Sequence, residues 1–525
     1  MKVLLVHMEF PSIIGGGGRY TQNLIKGLSN SGVETVLVTS GTSDSDERIG
    51  DFLIIKRFKI FSDLYLRKGD LIKAIDILID QIKSELPDIL HTEHSLETLI
   101  GQIANLNFGL PHFVTHHKTP ICEYEKIIKN GKWALYDFVN KSNSVKYIES
   151  SNAFKNNLLQ SGVSKDIIEV VYPGVDRDVF KKIVDNNLYE RIRDKLHLRK
   201  DDFVILIPCL IRKRKGLEFL ANAFSKLRLS GREIKIIITG LPKSQEENDW
   251  INKIKKLMLP NEIVDHGEFN DDDMPVLYNL ADVTILGSEA EGLGISLLEA
   301  MSCGCPVVGT NVIGINEVIE DGYNGRLCEY GNIKDLNEAR GDIAEKGDVK
   351  DRCIKNAYLT LDTKFNLKNQ ALKHIELYKK SLEEVKQSSG GVLYRFKNGK
   401  LEIYLAKHSV YGHVLPKGGK EKGETWLETA IREIEEETGY RVMIPNHLLG
   451  LIKWSFGKNN STVFKECMFY GFEVKENTIK DSQKLEKDEK VKVGKWFEYE
   501  EAIKMIAHDT EKDVVKKLKM NIELS

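Results

Sequence analysis

Residues 432 to 440 read Arg-Glu-Ile-Glu-Glu-Glu-Thr-Gly-Tyr, which places four carboxylates, Glu433, Glu435, Glu436 and Glu437, within five positions. Like charges three and four apart on a helix repel by roughly 0.2–0.5 kcal/mol per pair, so the crowding calls for a counter-charge. At about 100° per residue, Glu433, Glu436 and Glu437 fall on one face and Glu435 points away. Three hard oxygen ligands on one face suit Mg²⁺ or Mn²⁺. Such an ion grips a diphosphate and activates water for attack on phosphorus. Gly439 fits the C-cap of the helix, and Gly418 with Gly419 fits a turn that passes close to the ion. The ordinary alternative is a solvated, glutamate-rich helix.

A second group lies in Ser288–Gly325, where Glu291 is followed seven intervening residues later by Glu299, and Gly292 and Gly294 stand between them. Carboxylates accept paired hydrogen bonds from vicinal hydroxyls, and amides at a helix start hold phosphate. The run Ile211-Arg-Lys-Arg-Lys215-Gly is either a solvated charge run or a diphosphate-binding one. Near the N-terminus, the glycines 15–18 follow an apolar strand and open a helix, again a place where anions meet free amides. They lack the spacing and acidic partner of a dinucleotide-binding fingerprint.

The elements that must position these residues alternate. Short apolar runs (VLLV, ETVLVT, PDILH, PHFVTH, SVKYIES) are separated by helical patterns, and a second series follows from Phe203 (FVILIP, IKIIITG, NEIVDHG, ADVTILG, CPVVGT). This alternation predicts two doubly wound parallel sheets. The intervening VVYPGVDRDVF suggests a crossing between domains. We expect an N-terminal domain over 1–172, a second over 173–385 with a long final helix, a polar linker at 386–390, and a small mixed α/β domain over 391–525.

Between Gly418 and Tyr440, the ordered series Gly418, Glu424, Arg432-Glu433, Ile434, Glu436-Glu437 and Gly439 resembles the Nudix box, with every fixed position filled. The resemblance implies an α/β/α domain with a mixed sheet and Mg²⁺ or Mn²⁺ on Glu433, Glu436 and Glu437. It implies a brace between Arg432 and Glu424, and a substrate containing a nucleoside diphosphate linked to another moiety. The general base is Glu437 or the downstream Glu489.

Residues 1 to 385 resemble retaining GT-B glycosyltransferases: EGLG, LLEAM, CGCPVV and a glycine turn before Glu317 form their donor-site signature, and PDILH and VTHH fit the other domain. The resemblance implies two facing Rossmann-like domains, the final helix packing back on the first. It implies a nucleotide-sugar donor, an acceptor the sequence leaves unspecified, and no cofactor for transfer. Glu299 would hold the ribose, Glu291 with Gly292 and Gly294 the sugar and diphosphate, and Lys215 the diphosphate. His117 would lie near the transferred sugar, with His116 as its competitor, and Gly16, Gly17 and Glu317 would line the substrate site. The family usually has Gly-Arg-Leu after the first strand of the second domain, where this chain has Pro208-Cys209-Leu210; Arg212 or Arg214 would replace the missing guanidinium. The family's glycine-isoleucine-proline-glutamate turn reads Gly314-Ile315-Asn316-Glu317.

The bulk properties agree. The chain has 525 residues, 41% hydrophobic and 29% charged, with a net charge of -2, and is long enough for several domains. The charge offers no global attraction for nucleic acid, and no apolar run is long enough for a transmembrane helix. Seven cysteines without paired spacing read as reduced thiols in the cytoplasm. The expectation is a bifunctional enzyme; the alternative is a glycosyltransferase regulated by a non-catalytic, nucleotide-sensing Nudix module.

Overall fold

The computed structural model describes residues 1–10, 16–65, 70–117, 145–183, 186–225, 227, 229, 231–242, 244–258, 262–265, 269, 273–410, 412–458, 461–475, 478 and 491–524. Among these, eight strands form the first sheet, in the order Ser45–Ile49, Leu53–Phe58, Glu34–Ser40, Lys2–Val6, Ile89–Glu93, His112–Thr115, Val145–Glu149, Ile168–Val170. All neighbours except the first pair run parallel. Helices cover both faces, which is why Val3, Leu4, Leu5 and Val6 are buried without alternation. The winding reverses between Lys2–Val6 and Ile89–Glu93, and a crevice opens at the carboxyl ends of those strands.

The described residues of the second domain give six parallel strands, in the order Glu262–Asp265, Ile234–Ile238, Phe203–Ile207, Val283–Leu286, Val307–Thr310, Arg326–Cys328. Its switch point lies between Phe203–Ile207 and Val283–Leu286. The loops carrying Lys215 and Glu291 leave those two strands.

Helix Leu367–Glu384 packs back across the first domain. Its Ala371, Ile375 and Tyr378 share a core with Val3, Tyr20, Leu24 and Leu28. Tyr20 Oη lies 3.1 Å from His374 Nε2, and His91 Nδ1 2.6 Å from Tyr378 Oη. Burial pushes His91 and His112 down to about 3 and His374 to about 4. Each is therefore neutral when folded and binds a proton on unfolding in acid. Their contribution to stability is present above pH 6.5 and is lost as pH falls toward 3–4. The slope is about 1.4 kcal/mol per pH unit per histidine. Denaturant unfolding between pH 7 and 4 should show this loss, and His112→Gln should flatten it.

The third sheet, among the described residues, has seven strands. Its main path is Gly412–Val414, Lys400–His408, Val385–Lys397, Ser461–Glu473, His447–Lys458, with Lys417–Gly419 on Val385–Lys397 and Val491–Glu498 on Lys400–His408. It is mixed: Val385–Tyr394 runs parallel to Phe464–Glu473, and the other pairs are antiparallel. Residues 386–390, expected as a linker, are instead part of this strand, and Ser388 and Ser389 are buried. The glycines there serve close packing: a Cβ on Gly390 would lie 2.2 Å from Pro416 O, and one on Gly391 2.5 Å from Ile434 Cδ1.

Helix Trp426–Thr438 opens with a capping box between Thr425 and Glu428 and ends at Gly439 with φ 76°. Trp426, Ala430 and Ile434, four apart, pack on Leu393, Tyr470 and Phe472. Its start docks on the first domain. Trp426 N donates to Asn107 O at 2.7 Å, Lys422 Nζ is 2.6 Å from Asp88, and a Cβ on Gly423 would meet Leu86 at 2.1 Å. Gln387 donates to Gly109 O.

Candidate active sites

The glutamate helix presents its acidic face to the loop 415–424. Glu433 is buried, and Arg432 Nη1 reaches Glu433 at 2.7 Å and Glu436 at 3.0 Å. Arg432 Nε is 2.7 Å from Glu424, and Nη2 donates to Gly419 O at 2.8 Å, so this guanidinium ties the loop to the helix. Burial opposes the charge on Glu424, yet the Arg432 hydrogen bond prevails and holds its carboxyl at about 2. Glu437 accepts from Lys417 N at 3.2 Å, while Glu435 turns away to Arg441 at 3.1 Å.

The residues fit a divalent cation. The ligands are carboxylate oxygens, as Mg²⁺ prefers. A Cβ on Gly418 would lie 1.9 Å from Glu433 Oε2, so glycine alone leaves room for that carboxylate. Burial raises the Glu433 carboxyl above its ordinary value despite Arg432, an environment a cation would relieve. The three carboxylates do not yet meet at ligand spacing: Glu433 and Glu436 share Arg432, and Glu437 caps the loop. Gly418→Ala would displace the mobile end of a side chain instead of backbone. Its expected effect is therefore a loss of about 10²-fold in hydrolysis with little change in the melting temperature, checked by kinetics beside a thermal scan. Glu489 lies outside the described residues.

In the transferase half, Lys215 Nζ hydrogen-bonds Glu291, which also accepts from Ser288 Oγ at 2.6 Å. Burial disfavours the charged form of Glu291, but Lys215, Ser288 and Arg214 outweigh it and lower its carboxyl below the ordinary value. Arg214 donates to Ala290 O at 3.1 Å and lies 3.7 Å from Glu291, whereas Arg212 pairs with Glu247. Of the two arginines that Cys209 left open, Arg214 is thus the one beside Glu291. The Cys209 thiol is buried and pushed up to about 12. Gly294, at φ 88°, caps helix Ile295–Ser302, and a Cβ on Gly292 would meet the Phe154 ring at 2.4 Å.

Glu299 is buried and accepts from Tyr278 Oη at 2.9 Å. Arg19, from the opposite domain, reaches it at 3.1 Å. Glu317, expected to line the substrate site, faces the first domain. Its carboxylate accepts from Asn152 N, Ala153 N, Asn152 Nδ2 and Tyr172 Oη at 2.8–3.0 Å, capping helix Asn152–Gln160 of the first domain. His117 Nε2 is 2.7 Å from the buried Glu93. A Cβ on Gly17 would come within 3.1 Å of the His117 ring, and Gly16 approaches Ile295 across the cleft. His116 pairs with Glu149 at 2.9 Å and stacks on Tyr147, facing away from that group.

Several residues of these sites escape sequence reasoning. Arg19 and Glu93 carry no motif. Glu511, in the last helix, is buried and accepts from Leu415 N and Lys417 Nζ at 2.8 Å, fixing the loop 415–424 from far along the chain. A buried acid beside an apolar stripe is the one signal it leaves.

Comparison with known proteins matches these halves separately. Residues 14–179 match the Glycosyltransferase Family 4 model, 189–360 the Glycosyl transferases group 1 model, and 386–518 the NUDIX domain model. An uncharacterized glycosyltransferase of Methanocaldococcus jannaschii is 24% identical, with 73% of this chain and 99% of the relative covered. The N-acetyl-alpha-D-glucosaminyl L-malate synthase of Bacillus anthracis is 25% identical over 63% of this chain and 85% of its own. Among solved structures, sucrose-phosphate synthase from Thermosynechococcus elongatus superposes with a TM-score of 0.62 at 17% identity, covering 72% of this chain and 98% of that one. Anabaena HepE in complex with UDP and glucose gives 0.58 at 18%, covering 72% and 100%. No described helix is long and apolar enough to cross a membrane. With two Rossmann-like domains facing across Arg19 and Glu299 and a braced glutamate helix beyond them, the chain has the GT-B fold, carries a domain of the group 1 glycosyltransferase type and ends in a Nudix domain.

Proposed function

We propose that the protein is bifunctional. The first two domains transfer a sugar, with retention, from a nucleotide-sugar to an acceptor. The third hydrolyses a nucleoside diphosphate linked to another moiety. The observation that supports transfer best is the pairing of Lys215 with the buried Glu291 beside the helix start at Gly294, facing His117 and Gly17 across the cleft. Cationic side chains and amides at that place stabilise a departing diphosphate. In this reading Glu291 accepts hydroxyls of the sugar and Glu299 those of the ribose. Attack by the acceptor hydroxyl from the face the diphosphate leaves gives retention.

In the Nudix domain, Glu433, Glu436 and Glu437 hold the cation, Arg432 and Glu424 brace them, and Lys417 and Glu511 set the loop. A bound Mg²⁺ or Mn²⁺ supplies positive charge to the diphosphate and lowers the pKa of its water. Of the two candidate bases Glu437 is the described one, its carboxylate accepting from the loop amide of Lys417. The hydrolase acts on a substrate other than its neighbour's donor, since otherwise it would consume that donor. Incubating the full chain with Mg²⁺ and a panel of nucleotide-sugars and dinucleoside polyphosphates, with products identified by mass, tests this. One nucleotide-sugar used productively by both halves would overturn the separation, and no turnover in either assay would overturn the whole reading.

A nucleotide-sensing role for the Nudix domain has its own support in the docking of Trp426 and Lys422 on the first domain. Under that reading a nucleotide alters transfer without being cleaved, which the same product analysis distinguishes.

A further inference from the structure

We infer that the N-terminal domain holds a divalent transition-metal site of the zinc class, built from His7, Glu9 and His94. His7 follows strand Lys2–Val6 and His94 follows strand Ile89–Glu93, so the two imidazoles flank the switch point of the first sheet. Their rings lie 5.3 Å apart, and Glu9 Oε2 is 3.9 Å from His94 Nε2. One ligand atom from each of the three residues falls within 4.8 Å of the others. Ligands about 2.0–2.1 Å from a tetrahedral ion stand about 3.4 Å apart, so the group must draw in by about an ångström, which the partly exposed Glu9 permits.

The orientation of His7 points to a ligand. Its Nδ1 lies 2.6 Å from Thr21 Oγ1 and 2.8 Å from Glu93 Oε2; the Thr21 hydroxyl gives its own proton to Glu93, so Nδ1 is the donor toward this pair and the lone pair is left on Nε2. That Nε2 is buried and has no hydrogen-bond partner. A carboxylate on the far nitrogen, setting the tautomer and orienting the ring, is the arrangement that accompanies metal-bound histidine. A buried nitrogen without a partner is costly unless something binds it. The surrounding chain holds the geometry. Glu97 accepts from Met8 N at 3.2 Å and fixes the turn between His7 and Glu9, and His94 sits at φ 70°, a strained conformation for a residue with a Cβ.

Two nitrogens and one carboxylate oxygen match zinc-class ions and not the all-oxygen set of Mg²⁺. Three protein ligands leave a fourth position for water, beside His117, whose ring is 5.1 Å from that of His94.

The test is titration of the metal-free full chain with Co²⁺ alone, following visible absorption. Four-coordinate cobalt on mixed nitrogen and oxygen ligands absorbs intensely, and six-coordinate cobalt on the Nudix glutamates weakly. The expected result is an intense spectrum saturating at one ion per chain, displaced by Zn²⁺, abolished by His94→Gln and Glu9→Gln, and retained by Glu436→Gln. Zn²⁺ should also raise the melting temperature of the parent and not of Glu9→Gln, which alters a partly exposed side chain and folds even if the His94 variant does not. A parent without the intense spectrum, or an unchanged spectrum in Glu9→Gln, overturns the site.

Discussion

Glu436→Gln is expected to lower Mg²⁺-dependent phosphohydrolysis by about two to four orders of magnitude and leave sugar transfer unchanged. The oxygens of Glu433 and Glu436 sit on either side of Arg432 Nη1, at 2.7 and 3.0 Å. Gln retains the size and one acceptor but removes a charge from the site proposed to hold a cation against a diphosphate. Metal charge contributes several kcal/mol to such a reaction, and each 1.36 kcal/mol is about tenfold in rate. Glu435→Gln, on the opposite side of the same helix, is expected to keep hydrolysis within about twofold, because its carboxylate turns from the other three to Arg441, a partly exposed contact of about 0–1 kcal/mol. Steady-state kinetics of both variants with the best substrate from the panel provides the check. Equal losses would mean that helical facing does not divide the four glutamates.

Lys215→Met is expected to lower kcat/KM for sugar transfer by about 10²–10³, the usual effect of removing one donor from a preorganised charge-stabilising group, with hydrolysis untouched. The same change leaves Glu291 buried without its ammonium. Breaking a buried pair costs about 3–5 kcal/mol where the remaining charge is uncompensated, and less here, because Ser288 and Arg214 still face Glu291. A second substitution separates the two effects: Lys215→Met with Glu291→Gln should recover most of the melting temperature and none of the transfer. If transfer returned with stability, Lys215 would serve the fold and not the diphosphate.

The ease of reading these sites from sequence follows how local their determinants are. The glutamate helix, its Gly439 cap and the brace from Arg432 to Glu424 lie within one short run, where helical geometry alone decides which groups meet. The donor-side residues Glu291, Gly292, Gly294 and Glu299 are likewise contiguous. The direction of a side chain within a charged run is not readable in this way. Arg212 and Arg214 are equivalent by composition, and a 3₁₀ turn at Lys213–Lys215 ended by Gly216 at φ 66° sends one to Glu247 and the other to Glu291. Glu317 follows a glycine turn close to Glu291 in sequence, yet faces the other domain because the amides at Asn152 and Ala153 lie there. The histidine group at the first switch point was hidden because its members come from separate strand ends, each unremarkable alone. Residues 386–390 resemble a linker because serine and glycine are common in linkers. Here those small residues are what permits a strand to run beneath the loop at Pro416 and the helix at Ile434.

That last feature bears on how such a protein can be inherited and divided. Helix Leu367–Glu384 passes into strand Val385–Lys397 with no intervening residue, and that strand lies in the middle of its sheet, between Lys400–His408 and Ser461–Glu473. Recombination or gene splitting at the apparent seam of 386–390 would deprive the hydrolase of an interior strand's pairing. A cut before the helix would take from the transferase the side chains that cover Tyr20 and Leu24. The one bond at which a break leaves the helix with the first domain and the whole strand with the third is that between Glu384 and Val385.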